Sequence, residues 1–588
     1  MMHITGTDRS VAAVFGQAHR LLSKENGNVS RLCAALVVAI WSALDIWLQH
    51  NALAVRSDGV WAGHLNIWSD WPLHIAMASA FADRSPADWL SSHPMFAHGA
   101  LHYPFAVNLL SGLLMRLGLG LDAAMSLPTL LAGAATPFLL YRCFRAGLGH
   151  AGTSALALSL FFLASGPGGF VYLAELMQRN DWHGLLYPVR EVSRIDRYDW
   201  YSGNFLTGML VPQRAFVLGL PISLLSLLAL IRSLQPQGKR RITYAVAGGI
   251  GAGILPIVHV HSYMALGLIG FAFAACHPKQ WRTWLTYGVI AATIGGVLSL
   301  AFLGSGVGQH LRWAPGFAAG AGTAPWLLMW WQLWGIALPL TLLALPLLRT
   351  ASSATTALTL GGAFCFLFAN LVLVQPNRWD NSKLFLWSYL CWTPLWASAI
   401  SYFWSSPQRY AGRVVAATLA LMLTLTGAME LTRLLNRERS RHMIANADDM
   451  QLGLQVRAET DPMAVFLTSA SHNHPIMTFG GRSILLGFTG WMANLGFDHT
   501  KREADIRTMY AGGEAAASLL AQYGVDYVVI GPSERGDFGA NASWYADHYP
   551  LRFSNGDYQI YDVKSAAADP LTGTDSSMIG GTLGQSLS

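Results

Sequence analysis

Eleven apolar segments, each long enough to cross or nearly cross a lipid bilayer, constrain the fold of this 588-residue chain most strongly. Only 12% of the residues are charged, whereas soluble domains carry about 25%. The sequence therefore predicts a polytopic α-helical membrane protein with about eleven spans plus re-entrant or interface helices. The apolar segments lie near residues 32–50, 123–141, 152–165, 206–231, 242–258, 260–276, 283–303, 326–348, 353–374, 384–403 and 414–435.

The connectors between these segments indicate the orientation of the chain in the membrane. Five connectors contain Arg or Lys and no acid, and the positive-inside rule assigns all five to the cytoplasm. The apolar run 32–50 follows a basic N-terminus and has no small-residue cleavage site, which is typical of a retained signal-anchor. The five connectors are "RCFRAGLGHA", "RSLQPQGKRR", "HPKQWR", "RTAS" and "SPQRYAGR".

This orientation divides the chain into an inner and an outer side. It predicts a cytoplasmic N-terminus at 1–31, a membrane domain at 32–435, and a first outer loop at 51–122. A second outer loop follows at 166–205. The apolar stretch 102–118 is expected to be a re-entrant or interface-lying piece, because a full crossing would invert every later connector.

The sequence pattern changes near residue 450, from long apolar segments to short β-type runs that alternate with turn residues. Helical spacing fills residues 500–524, with Gly524 as the expected C-cap. The sequence thus predicts a small α/β domain at 436–563, placed outside the cytoplasm, and a disordered Ser/Gly/Thr-rich tail at 564–588. The expected strands lie in "AVFLTSA", "PIMTFGG", "YVVIGP" and "YQIYDV".

The stretch "HLNIWSDWPLHIAMASAFADR" (64–84) carries the first candidate for chemistry. Its apolar spacing predicts a short amphipathic helix in the membrane interface. Asp70 precedes this helix and is interpreted in two compatible ways, as its cap or as a general base whose pKa is raised near apolar material. His74 lies one turn further on, where it can orient the carboxylate or bind phosphate. Asp58 is the competing carboxylate of the same loop.

Two further segments bring basic side chains to the outer end of the bundle. The connector "QPNRWDNSKLF" (375–385) is too short to form a domain, so its polar groups must lie at the mouth of the bundle. Arg and Lys there can hold a phosphate, although snorkelling anchors have the same pattern. "VPQRAF" sets Gln213 and Arg214 at the start of an apolar span, where a buried Arg faces a cavity or a partner. The connector's candidates are Arg378, Asp380, Asn381 and Lys383.

Histidine pairs occur at two places with no complete metal-ligand set. His259 and His261 lie where two helices meet at the outer face, and no third ligand is evident, so no metal site is predicted there. Hydrogen bonding to a polar ligand and a structural role both remain open for them. His472 and His474 form a loop pair in the C-terminal domain, of uncertain role and with surface solvation as the ordinary explanation.

Several function classes have no support in the sequence. The net charge of +6 is modest and no basic run is interleaved with aromatic residues, so nucleic acid is not an expected partner. No GxSxG elbow, HExxH motif or kinase signature occurs. The five cysteines suggest neither a disulfide nor a CxxC metal site.

The arrangement of these motifs resembles the GT-C class of integral-membrane glycosyltransferases. The order of a signal-anchor, an outer loop with Asp before a helix, many spans and an outer α/β domain carries the resemblance, which covers most of the chain. No WWDYG motif occurs, which disfavours transfer of a whole oligosaccharide to asparagine. The pieces that resemble a bacterial branch of the class are "SDWPLH", "LHYPF", "PQR", "HVHSY", "WDNSK" and "SHNHP".

The resemblance implies an inverting sugar transfer from a polyprenyl-phosphate donor at the outer face of the cytoplasmic (inner) membrane. Asp70 would be the general base and act on a hydroxyl of a glycan, glycolipid or protein acceptor, with a divalent cation as an optional helper. Arg214, Lys383, Arg378 and His259 would neutralise the lipid phosphate. The remaining candidates for substrate contact are His74, Tyr103, Gln213, His261, Asp380, Asn381 and the rings of Trp68, Trp71 and Trp379.

The alternative from another class is a multi-span transporter or flippase of a lipid-linked or polar substrate. A transporter is expected to concentrate charge and broken helices near the bilayer midplane and to contain repeats. In this sequence the charges concentrate at one face and no repeat is visible. A third alternative is a non-catalytic assembly partner, in which Asp70 would be dispensable.

Overall fold

The computed structural model describes most of the chain, with gaps at both ends and in several loops. The described residues are 28–198, 203–234, 240–304, 311–317, 319, 322–436 and 440–568. Most of the predicted cytoplasmic N-terminus (1–27) and of the predicted disordered tail (569–588) therefore lies outside the described residues.

In the described residues, the membrane part is a bundle of α-helices that includes three short helices from residues 51–122, the predicted first outer loop. Its sixteen helices are α1 (Asn28–His50), α2 (Leu65–Trp68), α3 (Trp71–Asp83), α4 (Ala106–Arg116), α5 (Leu121–Leu148), α6 (Ala151–Leu163), α7 (Gly168–Arg179), α8 (Arg214–Ser233), α9 (Arg241–Gly253), α10 (Val260–Cys276), α11 (Trp281–Leu298), α12 (Thr323–Trp334), α13 (Ala337–Ala344), α14 (Ser353–Leu371), α15 (Ser382–Trp404) and α16 (Arg409–Leu435).

Six helical segments in the described residues are long and apolar enough to cross a membrane, or eight if each of two bent pairs counts as one span. The expectation of one continuous span at 326–348 is wrong, because α12 and the helical segment 337–349 meet at an angle of 97°. Gly335, at the break, has φ +52° and ψ −127°, a conformation that favours glycine and interrupts the helix. α15 is rich in Trp and Tyr and lies almost wholly inside the bundle.

The apolar stretch 102–118 contains α4, an 11-residue helix. At 1.5 Å per residue α4 is about 16 Å long, which is too short to cross a bilayer of about 30 Å. It packs against α3 so closely that a Cβ on Gly112 would lie 2.6 Å from the Cβ of Phe81. α4 is therefore too short to cross a bilayer by itself.

The C-terminal residues form an α/β unit around a five-stranded sheet of order β7-β6-β8-β10-β9. The first three strands are parallel and the last two are antiparallel. The strand expected in "PIMTFGG" is wrong, since Pro475–Thr478 is helical. The sheet strands are β6 (Val465–Leu467), β7 (Ser483–Ile484), β8 (Tyr527–Ile530), β9 (Leu551–Asn555) and β10 (Tyr558–Asp562).

Eight helices surround this sheet, and five short strands lie elsewhere in the described chain. Gly512 and Gly513 have positive φ and divide the helical stretch 500–524 in two. The helices are α17 (Ala447–Glu459), α18 (Pro475–Thr478), α19 (Thr489–Asn494), α20 (Thr500–Ala511), α21 (Glu514–Gln522), α22 (Pro532–Asp537), α23 (Ala542–His548) and α24 (Val563–Ala568). The other strands are β1 (Leu53–Arg56), β2 (Gly59–Ala62), β3 (Arg312–Trp313), β4 (Val372–Leu373) and β5 (His442–Asn446).

The C-terminal unit is joined to the first outer loop by a strand pairing and by α3. β5 pairs with β2 of the loop rather than with the C-terminal sheet. The Ser79 hydroxyl donates to the Thr478 carbonyl (3.1 Å), and Asp83 accepts hydrogen bonds from both Arg457 and Arg482. Gly481 has φ +65°, and a Cβ there would lie 2.7 Å from the Ser79 carbonyl carbon. The two parts therefore pack as one body around α3.

The expectation that residues 72–84 form an amphipathic interface helix is wrong. Every side chain from Trp71 to Ala82 is buried, because α4 covers one side of α3 and the C-terminal unit covers another. The polar residues of α3 make bonds inside the protein instead of facing water. The helix that follows Asp70 is thus a buried support.

Candidate active site

Asp70 lies at the start of α3, on the outer-loop side of the bundle. Its side chain does not cap the helix, which rules out the ordinary explanation for Asp at this position. Instead, the Gln213 amide Nε2 donates to Asp70 Oδ2 (2.8 Å). The side chain is half-buried, and its other oxygen makes no hydrogen bond to a residue that the structure describes. The carboxylate is thus held by one oxygen and presents the other.

The surroundings of Asp70 favour a proton acceptor that works near neutral pH. Burial raises the pKa of the Asp70 carboxyl to about 7, the Lys383 charge and the Gln213 hydrogen bond oppose that rise, and the Asp380 charge adds to it. Burial and, next, the charges of Asp70 and Asp380 raise the pKa of the Tyr103 hydroxyl. Asp70, Tyr103, Asp380 and Lys383 therefore form one electrostatic group.

Lys383 and Asp380 form an ion pair at the N-terminal end of α15. Lys383 Nζ lies 2.6 Å from Asp380 Oδ1, and its side chain is 14% exposed. The same ammonium lies 5.3 Å from the ring centroid of Trp379. Asp380 Oδ2 is buried and makes no hydrogen bond to a described residue. An ammonium has three donors, so two remain for an anionic ligand.

Arg214 is buried behind this group, at the first residue of α8. Its Nη atoms donate to Asn108 Oδ1 (3.2 Å), to Ser111 Oγ (2.9 Å) and to the Met125 carbonyl. The guanidinium also lies 5.2 Å from the ring centroid of Trp71. Arg214 thus connects α8 to α4 and α5. It follows Gln213 directly in the sequence.

His74 is buried next to Arg214 and contacts the same asparagine. Its Nδ1 lies 3.1 Å from Asn108 Oδ1. Burial and, next, the Arg214 charge lower the pKa of His74 to about 3, while the Asn108 hydrogen bond opposes the change. Burial therefore favours the neutral form of His74.

His259 and His261 lie at the N-terminal end of α10 with ring centroids 5.5 Å apart. His259 caps this helix, because its Nδ1 accepts from the Ser262 backbone N–H (3.2 Å). The Nε2 atoms of both histidines are buried and have no hydrogen-bond partner among the described residues. The Lys383 charge interacts with both rings, so they belong to the same group as Asp70.

The other predicted site residues lie apart from Asp70 or bond to the protein backbone. Arg378 is exposed on the turn that precedes α15. The Asn381 amide is buried and bonds to the backbone of Ala369, Val372 and Val374, which uses both of its donors and one of the two lone pairs of its oxygen. Asp58, the competing carboxylate, is exposed in the β1–β2 turn and accepts from Trp61 Nε1 (3.0 Å).

The two C-terminal histidines have different surroundings. His472 stacks on Trp68 with ring centroids 5.2 Å apart. Because Trp68 precedes Asp70 by two positions in the sequence, the C-terminal unit contacts the segment that contains Asp70. Trp68 Nε1 donates to the Met443 carbonyl (2.7 Å). His474 is buried, and its Nε2 lies 3.1 Å from Glu534 Oε1. Surface solvation therefore does not describe His474.

Two residues near the group were missed by the sequence analysis. Asn108 contacts both His74 and Arg214, but an asparagine within an apolar run gives only a weak signal. Trp387 lies one helical turn after Lys383, and its buried Nε1 has no hydrogen-bond partner among the described residues. The i, i+4 spacing from Lys383 could have identified Trp387.

In the described part of the chain, no group of three or more His, Cys, Asp or Glu side chains is arranged to hold a metal ion. Asp70 and Asp380 are the two carboxylates of the electrostatic group, and the Lys383 ammonium is bonded to one of them.

Comparison with solved structures identifies the architecture. The apo oligosaccharyltransferase of Archaeoglobus fulgidus matches with a TM-score of 0.51 and 11% identity over 89% of this chain and 74% of that chain. ArnT from Cupriavidus metallidurans in the apo state matches with a TM-score of 0.48 and 11% identity over 90% of this chain and 98% of that chain. The chain has the GT-C fold.

The predicted resemblance to GT-C membrane glycosyltransferases is thereby confirmed at the level of the fold. No protein-family model and no curated protein matches the sequence. At 11% identity the likeness carries the architecture alone.

Proposed function

We propose that this GT-C protein is an inverting glycosyltransferase that moves a sugar from a polyprenyl-phosphate donor to an acceptor hydroxyl. The observation that carries the proposal is the Asp70 carboxylate, held by Gln213 through one oxygen only. In a single displacement, the acceptor oxygen forms a bond to the anomeric carbon, and the bond from that carbon to the phosphate oxygen breaks. The bonding electrons leave with the polyprenyl phosphate, and the acceptor proton passes to Asp70.

The basicity of Asp70 supports its role. A general base works best when its pKa is near the operating pH, and burial raises the pKa of Asp70 to about 7. A carboxylate with a raised pKa has more affinity for a proton than an exposed Asp.

Lys383 is the proposed phosphate contact. It is partly exposed beside Asp70, and only one of its three donors is used by Asp380. An ammonium stabilises the charge that develops on a leaving phosphate. The unpartnered Nε2 atoms of His259 and His261 add two polar groups to the donor side. Arg214 supports the site from behind, since its terminal nitrogens are bonded to protein groups.

We place the site and the C-terminal α/β unit on the outer face of the cytoplasmic membrane. The charge pattern of the connectors supports this orientation when the bent pair Thr323–Trp334 and Ala337–Arg349 is counted as one broken span among the eleven predicted crossings. β5 and α3 bind the C-terminal unit to the first outer loop, so both parts must lie on the same side.

Opposite shifts in pH dependence are expected from the two members of the ion pair. The acid limb of the pH–rate profile is the range in which transfer rises with pH as Asp70 loses its proton. Lys383→Met removes a positive charge and raises the pKa of Asp70, so this acid limb moves to higher pH. Asp380→Asn removes a negative charge and moves that limb to lower pH. Each shift is about one pH unit. The measurement is the rate of product formation against pH in right-side-out membrane vesicles.

The two variants also control for each other. If Asp70 is not the base, the acid limbs of the two variants will not shift in opposite directions, even where the transfer rate itself changes. Tyr410→Phe, at a highly exposed position on α16, serves as a neutral control and should leave the profile unchanged.

The experiment that tests the function as a whole compares glycans of a deletion strain and its parent by mass spectrometry. We expect the deletion to remove one sugar from a surface glycan, glycolipid or glycoprotein and to leave the lipid-linked precursor in excess. An unchanged set of glycans contradicts the proposal. Precursor confined to the inner leaflet would instead support the transporter alternative.

A further inference from the structure

The position of Gln213, the residue that holds Asp70, depends on a short irregular segment before α8. Residues Leu206–Leu210 form a π-helical turn, and Gln213 follows it just before α8 begins. π-helical turns are rare and recur at functional sites. The Leu210 carbonyl ends this turn and accepts a hydrogen bond from the Gln49 amide Nε2 (3.0 Å). Gln49 therefore contacts the segment that directly precedes Gln213 and positions it.

Gln49 is fixed in its own position near the end of α1. It is 2% exposed, and Asp45, one turn earlier, is 3% exposed. The Gln49 amide also donates to Asp45 Oδ1 (3.3 Å), which directs the amide nitrogen toward α8. Gly133 of α5 packs against both side chains, because an added Cβ there would lie 3.2 Å from each. This packing leaves little freedom for the amide.

The hydrogen bond between Gln49 and Leu210 is connected to the active site through the backbone from Leu210 to Gln213. A buried carbonyl outside a regular helix must find a partner, and Gln49 supplies it for Leu210. Pro212 lies between Leu210 and Gln213 and restricts the connecting backbone. At its other end the turn is fixed by the Asn204 side chain, which donates to the Phe162 carbonyl (3.0 Å). A movement of Leu210 must therefore move Gln213.

We propose that Gln49 is a positioning residue, whose amide holds the Leu210 carbonyl and thereby keeps Gln213 against the Asp70 carboxylate. Asp45 acts one step further back by orienting the Gln49 amide through a single acceptor oxygen. Neither side chain touches substrate. The catalytic consequence rests on the proposed role of Asp70, whereas the coupling of Gln49 to the π turn does not.

The first test measures the coupling without any enzymatic assay. Gln49→Met keeps the length of the side chain but removes its donor. We expect backbone amides in 206–213 to exchange with deuterium about tenfold faster in this variant, measured by mass spectrometry on the full-length protein in detergent. The matched control is Gln280→Met, because Gln280 Nε2 donates to the Leu234 carbonyl (3.0 Å) at the opposite end of α8. It should leave exchange in 206–213 unchanged.

Two substitutions at Asp45 show whether it acts by orienting the Gln49 amide or through its own negative charge. Asp45→Asn retains the acceptor oxygen, so exchange in 206–213 should remain as in the unmodified protein. Asp45→Leu removes the acceptor and should increase exchange in the direction of Gln49→Met. Equal effects of both Asp45 variants would overturn the assigned role of Asp45.

The second test measures the consequence for Asp70, which is faced by Gln213, Lys383, Asp380 and Tyr103. Gln213→Met removes a bond that lowers the Asp70 pKa, so the acid limb of the transfer rate moves up by about one pH unit. Gln49→Met should move it in the same direction, and the double variant should add nothing. The probe is the endogenous lipid-linked sugar pool of right-side-out vesicles.

The outcomes separate this inference from the proposed function. If Gln49→Met leaves both exchange and the acid limb unchanged, or changes them no more than Gln280→Met does, the positioning role is wrong. If exchange responds but the unmodified protein transfers no sugar, the coupling stands and the proposed function fails.

Discussion

Replacement of Asp70 by Asn is expected to lower sugar transfer by about 10²–10⁴-fold, the range that a general base contributes. Asn keeps an oxygen that can accept from Gln213, so the local structure is retained while the proton acceptor is lost. The measurement is restoration of the missing glycan when the variant is expressed in the deletion strain, with the amount of protein in the membrane quantified in parallel.

Asp58→Asn is the matched control for this change. Asp58 belongs to the same outer loop but is exposed and bonded to Trp61, so this variant should restore the glycan fully. Full activity of Asp70→Asn together with loss of activity in Asp58→Asn would transfer the catalytic role to Asp58. Full activity of both variants would leave the enzyme without either proposed base.

The second large effect is expected on stability, at the joint between α3 and the C-terminal unit. Asp83 accepts from Arg457 Nη2 (2.6 Å) and from Arg482 Nη1 (2.8 Å), and the Arg482 side chain is 1% exposed. Asp83→Ala leaves a buried guanidinium without this carboxylate, which costs about 3 kcal/mol. For a chain of this length we expect the Tm in detergent to fall by about 2–3 °C, as measured by intrinsic fluorescence.

An exposed ion pair provides the comparison. Glu175 and Arg190 lie 2.6 Å apart, with side chains that are 32% and 43% exposed. Surface pairs contribute about 0–1 kcal/mol, so Glu175→Ala should change the Tm by less than about 1 °C. A similar Tm for the Asp83 and Glu175 variants would mean that the joint is held by its other contacts, such as β2 with β5.

Asp83 lies at the opposite end of α3 from Asp70, so this joint also bears on activity. If the C-terminal unit separates from α3 when Asp83 is lost, the buried support of Asp70 is lost with it. We therefore expect Asp83→Ala to lower transfer as well as stability, and limited proteolysis should release the C-terminal unit more readily.

The sequence by itself determined the class of fold and the positions of most helices. Apolar segments must be buried in lipid or protein and their backbones must bond internally, so length and hydropathy alone locate them. This reasoning failed at 326–348, because hydropathy continues across the sharp bend near Gly335. It also failed for 72–84, since an apolar spacing does not show what covers the other faces of a helix.

The tertiary structure decided which polar residues act together. Asp70, Gln213 and Lys383 are far apart in sequence but are joined by a 2.8 Å hydrogen bond and by charge, which no local pattern encodes. In the same way, Asn381 has the residue type of a ligand, yet its amide bonds only to backbone. Residue type and spacing state what a side chain can do, whereas long-range packing sets its neighbours and its burial, and these determine its chemistry.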